Sequence, residues 1–197
     1  MAVFEINRSV LSWRLAVGWT WLWHFSSDQM RYEIRQLGRP AESYTQGETP
    51  ASVLRVIAEK TGMGLGTRVL DIGCGRGSAL AYWARVWGAA PIGIEEVPAL
   101  GGATQALFNG LSISGTVIVG NFETVEWPDA DVIYVAGTCF SPSAVRDLQR
   151  KLAHCSAKTK IAVITLELPT TQFDLIDAVS VRFAWGKSML RVYRRIT

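Results

Sequence analysis

The chain has 197 residues, a length that suits one domain plus an extension of about 40 residues. Its residues are 49% hydrophobic and 19% charged, which excludes a wholly disordered chain because there is enough apolar surface to build a core. The net charge of +3 is too small to indicate nucleic-acid binding, so no nucleic-acid partner is expected. Cys74, Cys139 and Cys155 form no C-x-x-C pair, so we expect no disulfide framework, no metal site and a reducing, cytoplasmic location.

Residues 1–40 are predicted to form a Trp-rich helical extension. Their apolar run, at 15–25, falls short of the roughly 20 residues that a bilayer span requires, and the acidic Glu5 argues against a signal peptide. Three interpretations stay open: a lid helix on the main domain, a peripheral helix at a membrane surface, and a contact between subunits. The aromatic residues on which these alternatives depend are Trp13, Trp19, Trp21 and Trp23.

Helical and extended patterns alternate over residues 41–197, as in an α/β domain. The first helix is predicted to begin at Thr49-Pro50, with Thr49 as its N-cap. Gly101-Gly102 predicts that the helix over 98–108 is short or bent. Strands are predicted at 68–71, 92–95, 116–119, 131–135 and 160–165, followed by a hairpin that turns at Trp185-Gly186. This order predicts a doubly wound, Rossmann-like sheet of seven strands with a C-terminal antiparallel hairpin.

A glycine-rich loop, with Gly73, Gly75 and Gly77, follows Asp71 at the end of the first predicted strand. Glycines there let the backbone approach a ligand at the start of the next helix. The spacing G-x-G-x-G differs from the G-x-G-x-x-G of dinucleotide-binding proteins. The Asp71 carboxylate would repel a diphosphate and attract an ammonium group. These four residues therefore favour binding of S-adenosylmethionine (SAM), which carries both an ammonium and a sulfonium.

Polar and aromatic side chains also follow the second and third predicted strands. Glu95 is placed to accept hydrogen bonds from both hydroxyls of a ribose, with Glu96 as the alternative. The amide of Asn121 could bond to the adenine edge while the Phe122 ring covers the base. Taken singly, these residues also fit a solvated carboxylate, a turn and a core aromatic residue. Because the carboxyl ends of parallel strands meet at one edge of a sheet, their order predicts one nucleoside site.

Three stretches carry a resemblance to a known family. They are Gln46-Gly-Glu-Thr49, Gly120-Asn-Phe122 and the passage from Asp131 to Pro142. With the glycine loop, they make residues 41–197 resemble the class I, seven-stranded SAM-dependent methyltransferases. More narrowly, they are similar to the disruptor-of-telomeric-silencing type of lysine methyltransferases and their bacterial relatives. The resemblance implies SAM as cofactor and N-methylation of a lysine side chain in a protein.

The same resemblance implies roles for individual residues. Glu48 and Thr49 would fold over the methionine end of SAM. Tyr44 and Phe140 would line the channel of the methyl acceptor, with Trp23 as a further candidate. Thr138 would orient the acceptor, although its hydroxyl also fits a cap for the next helix. An aromatic channel would favour a neutral amine, since burial penalises the charged form.

Other functions remain open from the sequence. A methyltransferase acting on a small molecule or a lipid headgroup would suit the Trp-rich N-terminus. A noncatalytic SAM-binding partner subunit is the second alternative, because Ala136-Gly137-Thr138 stands where the histone enzymes have paired asparagines. A nicotinamide-dependent oxidoreductase is disfavoured by the spacing of the glycine loop and by Asp71.

Overall fold

The computed structural model describes residues 27–38 and 47–196. Within these ranges the helices are α1 (Ser27–Gln36), α2 (Ala51–Thr61), α3 (Ser78–Trp87), α4 (Pro98–Gly110) and α5 (Pro142–Leu152). The strands are β1 (Arg68–Ile72), β2 (Ala90–Glu95), β3 (Thr116–Val119), β4 (Val132–Ala136), β5 (Lys160–Ile164), β6 (Phe173–Phe183) and β7 (Gly186–Arg195). A short 3-10 turn, Gly137–Cys139, directly follows β4.

The seven strands form one sheet in the order β3-β2-β1-β4-β5-β7-β6. Strands β1 to β5 run parallel, and β7 pairs antiparallel with both β5 and β6. Ala184 and Trp185 make the tight turn between β6 and β7. The predicted doubly wound, Rossmann-like sheet with its C-terminal antiparallel hairpin is confirmed.

Helices cover both faces of the sheet, which explains why its inner strands are apolar along their length: 161–164 of β5 is wholly buried. On one face, the Trp83 indole N–H on α3 donates to the Leu54 carbonyl on α2 at 2.9 Å. The Trp83 ring also meets the Tyr134 ring on β4 edge to face, with 5.3 Å between centroids. On the other face, Leu148 of α5 is fully buried. These contacts fix α2 and α3 relative to β4.

The helix predicted to be short or bent, α4, runs for 13 residues through both glycines. A Cβ atom at Gly101 would lie 2.7 Å from Cγ2 of Val119 on β3. The missing side chain therefore lets α4 pack closely on the sheet, and this packing outweighs the unfavourable helix propensity of glycine. Of the two predicted alternatives, a short or a bent helix, the short one was wrong, because propensity carries no information about tertiary contacts.

Helix α1 is the described part of the predicted N-terminal extension, and it packs against α4. The Glu33 carboxylate accepts a hydrogen bond from the backbone N–H of Ala99, in the first turn of α4, at 2.7 Å. This contact satisfies a free N–H at the positive end of the helix dipole. Trp13, Trp19, Trp21 and Trp23 lie outside the described residues, so the three interpretations of the extension stay predictions. None of the described helices has the length and apolarity needed to cross a bilayer.

Alanine substitutions at the two glycines of α4 should have unequal effects on stability. Gly102→Ala should raise the free energy of unfolding by about 0.5–1 kcal/mol, because the new Cβ meets nothing within 4 Å and glycine is the poorer helix former. Gly101→Ala gains the same propensity but displaces Val119, so it should be about 1 kcal/mol less stable than Gly102→Ala. Urea denaturation of both variants measures the difference. Equal stabilisation would contradict the close approach of α4 to β3.

Candidate functional site

An open cleft lies at the carboxyl ends of β1, β2 and β4. The connections from β1 and β4 leave on opposite faces of the sheet, so this is the switch point at which α/β proteins commonly bind ligands. The cleft is lined by parts of 47–49, 71–79 and 94–100, by Gly120 and Phe122, and by residues between 134 and 144. Sequence segments that are far apart therefore meet in one place.

The glycine loop between β1 and α3 forms the floor of the cleft. Gly73, Gly75 and Gly77 have φ values of 77°, 58° and 74°, which other residues rarely adopt. A Cβ atom at Gly73 or Gly75 would meet nothing within 4 Å, and both residues line the cleft. At Gly77 a Cβ atom would lie 2.4 Å from Cγ2 of Thr104 on α4. Gly73 and Gly75 thus leave room for a ligand, whereas Gly77 allows the loop to pack on α4.

Glu95 is buried at the end of β2 and holds the glycine loop. Its Oε2 accepts the N–H of Gly75 at 2.8 Å, and its Oε1 accepts the N–H of Val97 at 2.9 Å. Burial raises the pKa of Glu95, and these backbone hydrogen bonds oppose the rise. The neighbouring Glu96 also lines the cleft. Both carboxylates considered for the ribose are therefore at the cleft, and Glu95 has a structural role that its sequence position did not indicate.

Asp71 ends β1 and is 4% exposed. Burial, followed by the nearby Glu95 carboxylate, raises the pKa of Asp71 to about 8. Within the described parts of the chain, no group donates a hydrogen bond to this carboxylate and no basic side chain contributes to its pKa. Burying a charge without a partner is unfavourable, so a cationic ligand at this point would stabilise the ionised form.

Thr49, expected to cap α2, instead contacts the sheet. Its hydroxyl lies 2.7 Å from the hydroxyl of Tyr134 on β4, and α2 begins without a side-chain cap. Tyr134 is the in-register neighbour of Asp71, so their side chains emerge on the same face. Sequence reasoning missed Tyr134, because an aromatic residue within a strand is typical of a core. Only its register beside Asp71 brings its hydroxyl to the cleft.

The aromatic wall of the cleft consists of Phe122 and Phe140. Their rings stack with 5.3 Å between centroids and an interplanar angle of 6°. Phe140, predicted for the acceptor channel, therefore lies beside the ring predicted to cover adenine. Asn121 does not line the cleft, and its amide oxygen accepts the N–H of Glu123 at 2.8 Å. This contact agrees with the turn interpretation that the sequence left open.

Two predictions for the acceptor remain: Thr138, expected to orient it, and Tyr44, expected to line its channel. Thr138 lies in the 3-10 turn after β4, is exposed, and lines the cleft. Tyr44 lies outside the described residues, as does Trp23. Of the predicted site residues, the structure brings to the cleft Glu48, Thr49, Asp71, Gly73, Gly75, Glu95, Phe122, Thr138 and Phe140.

Neither a protein family nor a curated protein matches this sequence. Solved structures do have a similar fold. MtNAS in complex with MTA and tNA has a TM-score of 0.60 at 19% identity, over 74% of this chain and 60% of that chain. TrmN from Thermus thermophilus has a TM-score of 0.66 at 16% identity, over 79% of this chain and 52% of that chain.

A third structure is an RNA methyltransferase from Salinibacter ruber in complex with S-adenosylhomocysteine (SAH). Its TM-score is 0.63 at 20% identity, over 74% of this chain and 92% of that chain. The present chain thus spans about half of TrmN and 60% of MtNAS, but nearly all of the Salinibacter protein. It has the Rossmann-like fold of methyltransferases. None of the three is described as a lysine methyltransferase.

Replacing Asp71 by asparagine should stabilise the protein in a pH-dependent way. The pKa of Asp71 is raised to about 8 in the folded state from 3.8, so folding is favoured by the neutral form and loses stability as the pH rises toward 8. An asparagine stays neutral, so Asp71→Asn should raise Tm at pH 8 by about 3 °C or more, and by less at pH 5.

Asp131→Asn is the matched control for this stability measurement. Hydrogen bonds from Arg68 lower the pKa of Asp131, so its ionised form favours folding above the unfolded-state pKa. Its replacement should lower Tm at pH 8, the opposite sign to Asp71→Asn. Thermal unfolding at the two pH values measures both variants. A lower Tm for Asp71→Asn at pH 8 would show that the Asp71 carboxylate is stabilised by a partner.

Proposed function

We propose that this chain is a SAM-dependent methyltransferase that binds SAM in the cleft at the carboxyl ends of β1 and β2. The observation that carries the proposal is the buried Asp71 carboxylate beside the glycine loop. A nucleotide with a phosphate in this position would bring two like charges together at short range. The ammonium group of an amino-acid end would instead supply the partner that the described residues do not supply.

The other residues of the cleft fit the remaining parts of SAM. Gly73 and Gly75 leave space where the backbone can approach the ligand. The Glu95 oxygens already accept two backbone N–H groups, and each retains a lone pair that can accept from a ribose hydroxyl. Phe122 offers an aromatic face for the base. The donor set therefore suits a nucleoside linked to an amino acid.

When bound, SAM would supply a methyl group on a sulfonium sulfur. An acceptor nucleophile would bond to the methyl carbon as the carbon–sulfur bond breaks in line with it, and SAH would leave. The chain must then align the acceptor and exclude water, and it needs no strong acid. Phe140 and Phe122 present apolar surface at the cleft, which limits the entry of water. Thr138 is the exposed hydroxyl that could orient an incoming amine.

For the methyl acceptor we propose a lysine side chain of a protein. The support is the resemblance at Glu48-Thr49, at Gly120 to Phe122 and at the passage after β4, together with the aromatic surface beside Thr138. The cleft residues that the structure describes include no His or Lys side chain as a general base. An amine that arrives neutral already carries the lone pair for the displacement.

Calorimetric titration with SAH and with NAD separates the cofactor classes. The protein should bind SAH and not NAD. Glu95→Ala should weaken SAH binding by about 1–3 kcal/mol, because a buried polar contact to the ligand is lost. Glu96→Ala is the control and should leave the affinity within about threefold. That limit corresponds to a change of about 0.7 kcal/mol in binding free energy. Binding of NAD alone would reject the proposal. Equal losses of SAH affinity in the two variants would show that Glu95 is not the specific contact of the ribose.

Incubation with methyl-labelled SAM and a whole-cell lysate identifies the acceptor. We expect label in the protein fraction, with methyl-lysine released after hydrolysis. Asp71→Asn should abolish transfer to every fraction while the variant remains folded, because the cofactor loses its charged partner. Label confined to RNA, lipid or small molecules would overturn the lysine proposal while keeping the methyltransferase. Tight SAH binding without any transfer would instead favour the noncatalytic subunit.

A further inference from the structure

The hydrogen bond between Thr49 and Tyr134 joins residues 85 positions apart. Tyr134 is 1% exposed, and its ring packs edge to face with the Trp83 ring, with 5.3 Å between centroids. A phenylalanine would supply the same apolar contacts, so what the tyrosine hydroxyl adds is its hydrogen bond to Thr49. A buried hydroxyl without a partner is destabilising, and Thr49 is the partner that the described residues provide.

The Thr49 hydroxyl makes its hydrogen bond with Tyr134 and not with the backbone of its own helix. The sequence predicted Thr49 as the N-cap of α2, but Pro50 occupies that position and no side-chain hydrogen bond caps the helix. The Thr49 hydroxyl points instead toward β4, the strand next to β1. The segment Gly47–Thr49 is thereby attached to the middle of the sheet, on the face where Asp71 emerges.

This attachment also places the charge of Glu48, the residue before Thr49. Partial burial lowers the pKa of Arg76 in the glycine loop, and the nearby charge of Glu48 opposes that lowering. Both residues line the cleft. Two loops of opposite charge therefore border the region beside Asp71, where a zwitterionic amino-acid group would find both signs of charge.

We propose that Tyr134 is a positioning residue that acts through Thr49 to hold the segment Gly47–Thr49 across the amino-acid end of the cofactor. This inference rests on the proposed function, because it assumes that SAM occupies the cleft. Tyr134 would then contribute to binding from a buried position in β4, without contacting the ligand. Loss of its hydroxyl should affect only ligands that have an amino-acid end.

The test compares two ligands that share an adenosine group. SAH carries the zwitterionic amino-acid end, and 5′-methylthioadenosine lacks it. Tyr134→Phe should weaken SAH binding about fivefold to tenfold and leave methylthioadenosine binding unchanged. Thr49→Val should have the same effect, and the double variant should lose no more SAH affinity than either single variant. Thr49→Ser keeps the hydroxyl and should bind SAH as the wild type does. Tyr193→Phe is the matched control and should have no effect on either ligand, because it removes a buried hydroxyl of β7 that, among the described residues, accepts only the backbone N–H of Leu168.

A second measurement needs no ligand. Hydrogen exchange of the peptide covering residues 47–53 should be faster in Tyr134→Phe than in the wild type or in Tyr193→Phe. Parallel losses of affinity for both ligands, or no loss for SAH, would overturn the positioning role. A wild-type protein that binds neither ligand would overturn the proposed function and this inference with it. Unchanged exchange rates would refute the attachment of the segment independently of SAM.

Discussion

Burial of the Asp71 carboxylate, which has no positive partner among residues 27–38 and 47–196, is the constraint around which the site is arranged. Its strand, β1, lies between β2 and β4, so Asp71 has Gly93 on one side and Tyr134 on the other. The surrounding apolar residues that make the core also remove water from this carboxylate, which raises its pKa to about 8. Stability is given up at the position where a cationic ligand would recover it, a compromise that is common at functional sites.

The contacts around Asp71 hold the glycine loop in one conformation. Glu95 accepts the N–H of Gly75, and the Thr104 hydroxyl donates to the Gly75 carbonyl at 2.8 Å. Thr104 also fills the space that a side chain at Gly77 would need. Because α4 carries Thr104, the close packing of α4 on β3 through Gly101 supports the loop from outside the cleft. A ligand would therefore meet a loop that is already organised.

The fold itself does not determine the methyl acceptor. MtNAS, TrmN and the Salinibacter RNA methyltransferase share this architecture at 16–20% identity, and a single fold commonly supports several activities. The shared part is the carboxyl edge of the parallel strands, where the cofactor is proposed to bind. The acceptor depends on what surrounds Thr138 and Phe140. That is why the lysine proposal rests on a narrower resemblance than the methyltransferase proposal does.

The sequence by itself determined where the strands lie along the chain, the glycine loop and most of the cleft residues, because apolar periodicity and glycine spacing are local properties. Tertiary structure alone decided the rest. Close packing keeps α4 continuous through two glycines, and the Asn121 side chain bonds within its own turn. The Phe140 ring stacks on Phe122, and the Thr49 hydroxyl bonds to Tyr134 and not to its own helix. Each of these outcomes depends on a partner distant in sequence or on backbone geometry. A local pattern shows that a hydroxyl or a ring is present, but packing decides which neighbour it meets.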